Sequence, residues 1–464
     1  MKLVKIETPQ ISHYAYMLAD GPEAAVIDPS RDIDEYLKAA NSVGARIKYV
    51  IVTHRQEDFV LGSAHLAEVT GAEIITGDHE LFGHGDKRLA DGESFTLGDL
   101  TIKALHTPGH TPESYSYAVF APQNPHSAWG VFTGDALFFG TTGRTDLPDA
   151  DKSIEYAELL YDSVHNKIAE LGDTALILPA HGPGSVCGSG MADRTSSTLG
   201  DEKQYNDVFT LSRQEFAQKK GGESLPRPPF FRHMEKVNLD GGLAPRVPFS
   251  TALLTAQNIA QRPKDSILLD CRDPEGFAGG HIPNSYSVWL GGMPVFGGWL
   301  ADYQSTVYLV ADRNQDIEQA AAHLSRIGID GVAGGLAGGF GSWRNTGQPL
   351  ETSGVVTPQQ LNLAGEALQV LDVRELDEYN SGHIPGARHM YVGHLLQHLN
   401  ELHLHPEKPI VVTCGVGHRA GVAVSILLRA GFKDVRNLLG GMSAWQSLRL
   451  PAETENAFSE RRAS

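Results

Sequence analysis

The chain is poor in three things, and each shortage excludes a class of protein. Cysteine comes first: Cys187, Cys271 and Cys414 are the only three among 464 residues. So sparse and odd a set cannot build a disulfide framework, and it fits a reducing compartment in which a thiol does chemistry. Positive charge is the second shortage, with 38 Lys and Arg against 56 Asp and Glu and a formal charge of −18. Self-repulsion and phosphate repulsion then both oppose binding to nucleic acid or to an anionic membrane. Third, the sequence has no run of about twenty apolar residues. The opening "MKLVKIETPQISHYAYMLADG" lacks the apolar core of a secretory signal. The expectation is an acidic cytoplasmic protein, long enough for about three domains of ordinary size.

What is present falls into two parts. Residues 1 to about 215 alternate short apolar strands ("AAVIDP", "YVIVTH", "WGVFTGD", "ALILPAH") with helical patterns such as "DKSIEYAELLYDSVHNKIAEL", and histidines and aspartates gather at the strand ends. Loops at strand ends are where chemistry is carried. The Pro- and Gly-rich "GGESLPRPPFFRHMEKVNLDGG" then reads as an extended connector. The remainder is an internal repeat. "LLDCRDPEGFAGGHIPNS" from Leu268 and "VLDVRELDEYNSGHIPGA" from Val370 align Asp270 with Asp372 and Arg272 with Arg374 at an offset of 102 residues. Each copy continues through a second strand, a helix and a closing "GG" before Trp343 or Trp445. Strands alternating with helices favour a parallel sheet covered on both faces. The expected domains are residues 1–245, 246–352 and 353–464.

In the second copy the strand ends in "TCGVGHRAG", which puts Cys414 at the head of a loop running to Arg419 and into a helix. Amide groups of such a loop and of the helix N-terminus point at the sulfur, and the guanidinium adds positive charge. Gly415 and Gly417 let the backbone curl close to it, and His418 lies in the same loop. This arrangement would stabilise a bound persulfide. Cys271, on the first strand of its copy, reads as a buried structural thiol.

These residues carry a resemblance. "DVRELDEYNSGHIPGA" and "CGVGHR" resemble the rhodanese family, so residues 250–350 and 355–450 look like a tandem of rhodanese domains. The resemblance implies a Cys414 persulfide passed between sulfur donor and acceptor, with Arg419 in its cradle. The first copy departs from the pattern: Cys414 falls on Ala311, or on Asp312 if the alignment slips by one, and Arg419 falls on Asp316. With no thiol and two acids in "ADRNQD", that copy is expected to be a spacer or docking surface.

In the first domain, "THRQEDF", "HTPGHTPES", "FTGDALF", "GRTDLPDA" and "LPAHGPGS" together resemble the metallo-β-lactamase fold, in the branch holding persulfide dioxygenases and hydroxyacylglutathione hydrolases. The resemblance implies an αββα sandwich ahead of the two rhodanese-like α/β domains. The fold's usual T-H-x-H-x-D-H loop has lost two histidines here, to Gln56 and Phe59. Two tightly held metals are therefore not expected. The dioxygenases hold one iron by two histidines and a carboxylate, which map onto His54, His110 and Asp135. The expected cofactor is one Fe(II) per chain, with zinc the other candidate, in a triad that leaves positions for oxygen and a persulfide.

Gln56 is expected to orient a ligand without coordinating, and Asp58 and His181 either to support the loop or to ligate weakly. Cys187 in "GPGSVCGSG" is either a buried thiol or a persulfide contact. Arg144 either binds a substrate carboxylate or anchors its loop through Asp146. His65, His79, His84 and His106 read as ordinary surface or hydrogen-bonded histidines. The implied partners are a small thiol persulfide such as glutathione persulfide and the donors and acceptors of the carried sulfur, with a homodimer allowed. The alternatives are a thioester hydrolase fused to a sulfurtransferase, and a metal-free scaffold serving Cys414.

Overall fold

A computed structural model describes residues 1–223, 225–245 and 251–454. The chain divides into two compact units, the first made of residues 1–245 with 326–328 and the second of the remainder. The expected start of the second domain, residues 246–250, and the last ten residues of the third lie outside the described residues.

The first unit is a four-layer sandwich. Its first sheet takes the order β1 (Lys2–Thr8), β2 (His13–Asp20), β3 (Glu23–Ile27), β4 (Arg46–Ile51), β5 (Glu73–Gly77), β6 (Lys87–Leu89). It begins as an antiparallel meander and turns parallel from β3 onward. The second sheet holds β7 (Ser94–Leu97), β8 (Leu100–His106), β9 (Tyr115–Phe120), β10 (Gly130–Gly134) and β11 (Leu176–Pro179) as neighbours in that order. Only its β10–β11 pair is parallel.

Period-two alternation sends Leu18, Ile27, Ile51 and Ile75 inward to meet Ile102, Tyr117 and Phe132 between the sheets. The opposite residues, such as Val26 and Val50, are covered by the helices Ile33–Val43 and Ser63–Thr70. Val131 and Ile177 pack in the same way under Ala157, Leu160 and Phe216. The central strands β2, β3 and β10 are thus buried on both faces and read as unbroken runs, while β1 and β7 mix exposed residues with partly or fully buried ones.

The connector expected to be extended is not. Phe231–Leu239 forms a helix whose Phe231, Met234 and Asn238 are buried. Its prolines all precede Phe230, so they mark the approach to the helix and leave its interior free. The apolar spacing of Phe231 and Met234 supplies a face that the Pro and Gly content concealed.

The second unit contains both repeats, each with an all-parallel five-stranded sheet. The shared motif has a structural explanation. Arg272 donates to both carboxylate oxygens of Asp270 at 2.8 and 2.6 Å and to Gly280 O at 2.8 Å. Arg374 repeats this with Asp372 and Gly382 O. The "GHIP" histidines stack on Phe277 and Tyr379, each with ring centroids 3.8 Å apart. These buried ion pairs tie the first strand to the turn after the next helix in both copies, whether or not a thiol follows.

Candidate functional site

Strand ends from both sheets converge in the first unit. His54 follows β4, His110 lies between β8 and β9, Asp135 follows β10, and His181 follows β11. The sheets are joined at this point, because Tyr115 N–H donates to Thr53 O at 2.8 Å. Gly134 permits the close approach: its φ is 53°, and a Cβ there would lie 2.7 Å from Thr53 Oγ1.

His54 Nε2 and His110 Nε2 lie 3.8 and 3.4 Å from Asp135 Oδ2. Glu57 Oε2 stands 3.9 and 3.4 Å from the same two nitrogens. All four atoms are buried and none has a hydrogen-bond partner. Four orphaned ligand-type atoms around one point are costly unless a cation satisfies them, so the donor set fits a metal ion. The opposite ring nitrogens are held from behind. His110 Nδ1 bonds Arg144 O at 2.7 Å. His54 Nδ1 bonds Thr53 Oγ1 at 2.9 Å, and that hydroxyl donates to Asp28 Oδ2 at 2.7 Å. Such partners fix ring orientation and leave Nε2 for the metal.

Burial disfavours both imidazolium forms. It takes His54 down to about 4. At His110 the Glu57 and Asp135 carboxylates outweigh burial and raise it to about 9. Burial opposes the Asp135 carboxylate too, yet the His181, His54 and His110 imidazoles hold it down to about 2.

Gln56 takes a left-handed backbone, φ 45°, and its side-chain nitrogen lies 3.4 Å from His54 Nδ1, behind the ring rather than among the ligand atoms. Asp58 and His181 form a separate group: His181 Nε2 is 3.1 Å from Asp58 Oδ2, while its Nδ1 bonds Asp135 Oδ1 at 2.8 Å. Cys187 is fully buried beside them. Burial first, then the charges of Asp58, Asp135 and Glu57, push its thiol well above the usual range.

Arg144 is an anchor. Its five N–H groups are all used, on both Asp146 oxygens and on Val186, Leu225 and Pro226 carbonyls, so none remains for a substrate carboxylate.

Sequence reasoning missed Glu57, Asn238 and His13. Glu57 occupies a motif position that any residue can fill. Arg55 Nε, which donates to Glu57 Oε1 at 3.2 Å, is the sequence neighbour that could have signalled it. Asn238 clamps the loop from the connector helix: its Nδ2 donates to Gln56 O and Phe59 O, both at 2.7 Å, and its Oδ1 accepts from Leu61 N–H at 2.8 Å. His13 packs against Phe59 with ring centroids 4.0 Å apart.

In the second unit, Cys414 follows the strand Ile410–Thr413 and precedes the helix His418–Arg429. Its Sγ accepts from Gly417 N–H at 3.1 Å and Ala420 N–H at 3.4 Å. Gly417 has φ 116°, which a side chain would strain. Arg419 is gripped by Glu378 through two bonds of 2.6 and 2.8 Å, alongside Gly415. His418 stacks on Trp289 of the first repeat, ring centroids 4.9 Å apart. Cys271 is buried and its thiol donates to Val310 O at 2.9 Å.

In the first repeat, sheet register pairs Asp270 with Val310 as it pairs Asp372 with Thr413. Cys414 therefore corresponds to Ala311 and not Asp312. The repulsion expected from Asp316 is tempered, since Arg313 donates to both its oxygens at 2.9 and 2.6 Å.

The metallo-beta-lactamase superfamily model matches residues 8–181, and the rhodanese-like domain model matches residues 253–346 and 357–448. The mitochondrial persulfide dioxygenase ETHE1 of Bos taurus is 32% identical over 225 residues, covering 47% of this chain and 80% of the relative. Its Homo sapiens counterpart is 32% identical over 220 residues, covering 46% and 78%. The chain belongs to the persulfide dioxygenase family. Its family domain is fused to two rhodanese-like domains, and the combination makes it a sulfur-metabolising enzyme. A metallo-beta-lactamase structure from Staphylococcus aureus subsp. aureus COL matches with a TM-score of 0.65 and 27% identity, over 72% of this chain and 98% of that one. Among the described residues no helix is long and apolar enough to cross a membrane.

Proposed function

We propose that the first domain is an iron-dependent dioxygenase of a low-molecular-weight persulfide such as glutathione persulfide, and that Cys414 carries sulfane sulfur in the C-terminal domain. The observation that supports the first part best is the convergence of His54 Nε2, His110 Nε2 and Asp135 Oδ2, each buried and without a hydrogen-bond partner. These three would hold the ion. Bound Fe(II) supplies the electron transfer that makes O2 reactive toward sulfur.

The chain's own groups do the rest. Thr53 and the Arg144 carbonyl hold the imidazoles in register, and the buried loop excludes bulk water. In balance, one persulfide, O2 and water give the free thiol and sulfite with release of protons. At the other site Cys414 sulfur attacks the donor's sulfane sulfur, the donor's bond to that sulfur breaks, and a persulfide remains. An acceptor thiolate then takes the outer sulfur and returns Cys414. Amide donors from Gly417 and Ala420 stabilise negative charge on the sulfur throughout.

The test is metal content and oxygen uptake on glutathione persulfide, with protein purified without oxygen. Replacing His54, His110 or Asp135 by Ala should remove most iron and oxygen uptake together. Full oxygen uptake in any of these variants, or none from an iron-loaded wild type with any persulfide, would overturn the reading.

A further inference from the structure

The two repeats differ around the sulfur loop in more than the thiol. Glu378, on the helix Leu376–Asn380, accepts from both Nη atoms of Arg419 at 2.6 and 2.8 Å. At the offset of 102 residues that aligns the stacked pair Tyr379–His383 with Phe277–His281, Glu378 falls on Gly276, and Asp316 stands where Arg419 does. Glutamate, arginine and thiol are thus missing together from a copy that builds a five-stranded sheet of the same order. The fold therefore does not require the Glu378–Arg419 pair. The buried Asp270–Arg272 and Asp372–Arg374 pairs, by contrast, stand in both copies.

The glutamate is itself held in place. Its Oε2 accepts from Glu375 N–H at 3.1 Å, and the Glu375 side chain accepts from the Glu378 amide, a reciprocal cap on the helix start. Asp273, the matching residue of the first repeat, makes no side-chain cap bond. Among the described residues Arg419 has no hydrogen-bond partner besides Glu378, so without that fork its long side chain is free to leave for solvent. With the fork in place, Arg419 Nη2 lies 3.5 Å from where a Gly415 Cβ would stand, beside Cys414 in the loop. Burial opposes the Arg419 charge, yet Glu378 and then the Cys414 sulfur outweigh it and raise the guanidinium above its ordinary range. Glu378 takes two of the five N–H groups of Arg419, and three remain for an anionic sulfur.

We propose that Glu378 is a positioning residue for sulfur transfer: anchored by its cap, it holds the Arg419 guanidinium against the Gly415 edge of the loop, where the positive charge serves the sulfur of Cys414 and of its persulfide. Glu378 acts through Arg419 and not by touching the sulfur. The inference deepens the sulfur-carrier reading and rests on it.

The test compares two alkylating reagents on the full-length chain at one pH, neutral iodoacetamide and anionic iodoacetate, with each rate read by mass at the Cys414 peptide. The ratio of the iodoacetate rate to the iodoacetamide rate reports the local potential, and it does not depend on the thiolate fraction or the folded fraction. Arg419→Ala should lower the ratio by about tenfold, the size of one nearby charge at a partly exposed site. Glu378→Asp keeps the negative charge, and an aspartate already fills the same cap position in the Thr198–Asp201 pair, but it is one methylene too short to hold the fork at the loop. It should lower the ratio by about threefold and add nothing in the Arg419→Ala background. Arg419→Lys keeps the positive charge without the fork and should lower the ratio too. Transfer of persulfide sulfur to a thiol should fall with the ratio in each variant. Far-UV circular dichroism checks folding, and should Glu378→Asp fail to fold, Arg419→Lys decides. The inference is overturned if Glu378→Asp or Arg419→Lys keeps the wild-type ratio, if Glu378→Asp loses as much without Arg419 as with it, or if transfer is unchanged while the ratio falls. The carrier reading fails on a different observation, a wild-type Cys414 that takes up no sulfur from a persulfide, and the alkylation ratio does not depend on that uptake.

Discussion

Glu57, with Asp135, favours a protonated His110 at the candidate metal centre. Its carboxylate is the leading influence that lifts His110 to about 9 against burial, with Asp135 adding to it. Because His110 Nδ1 faces the Arg144 carbonyl, the extra proton sits on Nε2, where a metal must bind. In the metal-free chain below about pH 9, loading therefore displaces one proton. Apparent affinity should climb by about tenfold per pH unit and flatten near 9. Glu57→Gln removes the charge and should move the plateau to lower pH. Chelator competition across pH measures both curves, and coincident plateaus would deny Glu57 this influence. His54, His110 and Asp135 were legible as a set because short motifs carry them. Glu57 was not, because its direction depends on the left-handed turn at Gln56, which no motif announces.

At the scale of elements, the helix Phe231–Leu239 matters more than its sequence promised. Asn238, fully buried, answers two carbonyls and one amide of the Gln56–Leu61 stretch. Asn238→Ala would strand those three groups. The expected loss is on the order of 3 kcal/mol in urea unfolding, together with weaker metal retention, since the same loop carries His54. Asn238→Asp should restore only the amide bond and recover part of the loss. Equal stability of the Ala variant and wild type would show that the loop holds itself. The two-sheet sandwich was expected from the family resemblance alone, and the duplicated parallel domains were readable from strand-and-helix alternation and from the repeated "GHIP". The connector was misread because its Pro and Gly content masks a short amphipathic helix whose burial comes from tertiary packing.

For the whole molecule, the duplication separates what builds the rhodanese-like fold from the loop assigned to the proposed sulfur transfer. Both copies keep the Asp–Arg pair and the stacked histidine, but only one keeps the thiol loop. Cys414→Ser should abolish transfer of persulfide sulfur to a thiol while leaving oxygen uptake by the first domain intact. Moving the thiol should not rescue it. Along the same alignment Asn314 stands where Gly417 does and Asp316 where Arg419 does, so a cysteine at 311 would meet an acid already paired with Arg313 and lack the glycine whose φ of 116° shapes the cradle. Ala311→Cys in the Cys414→Ser background should stay at the transfer rate of Cys414→Ser itself, measured with the same donor and acceptor. A substantial gain would mean that the strand-end position alone activates sulfur, and that the glycines and arginine of the Cys414 loop are dispensable.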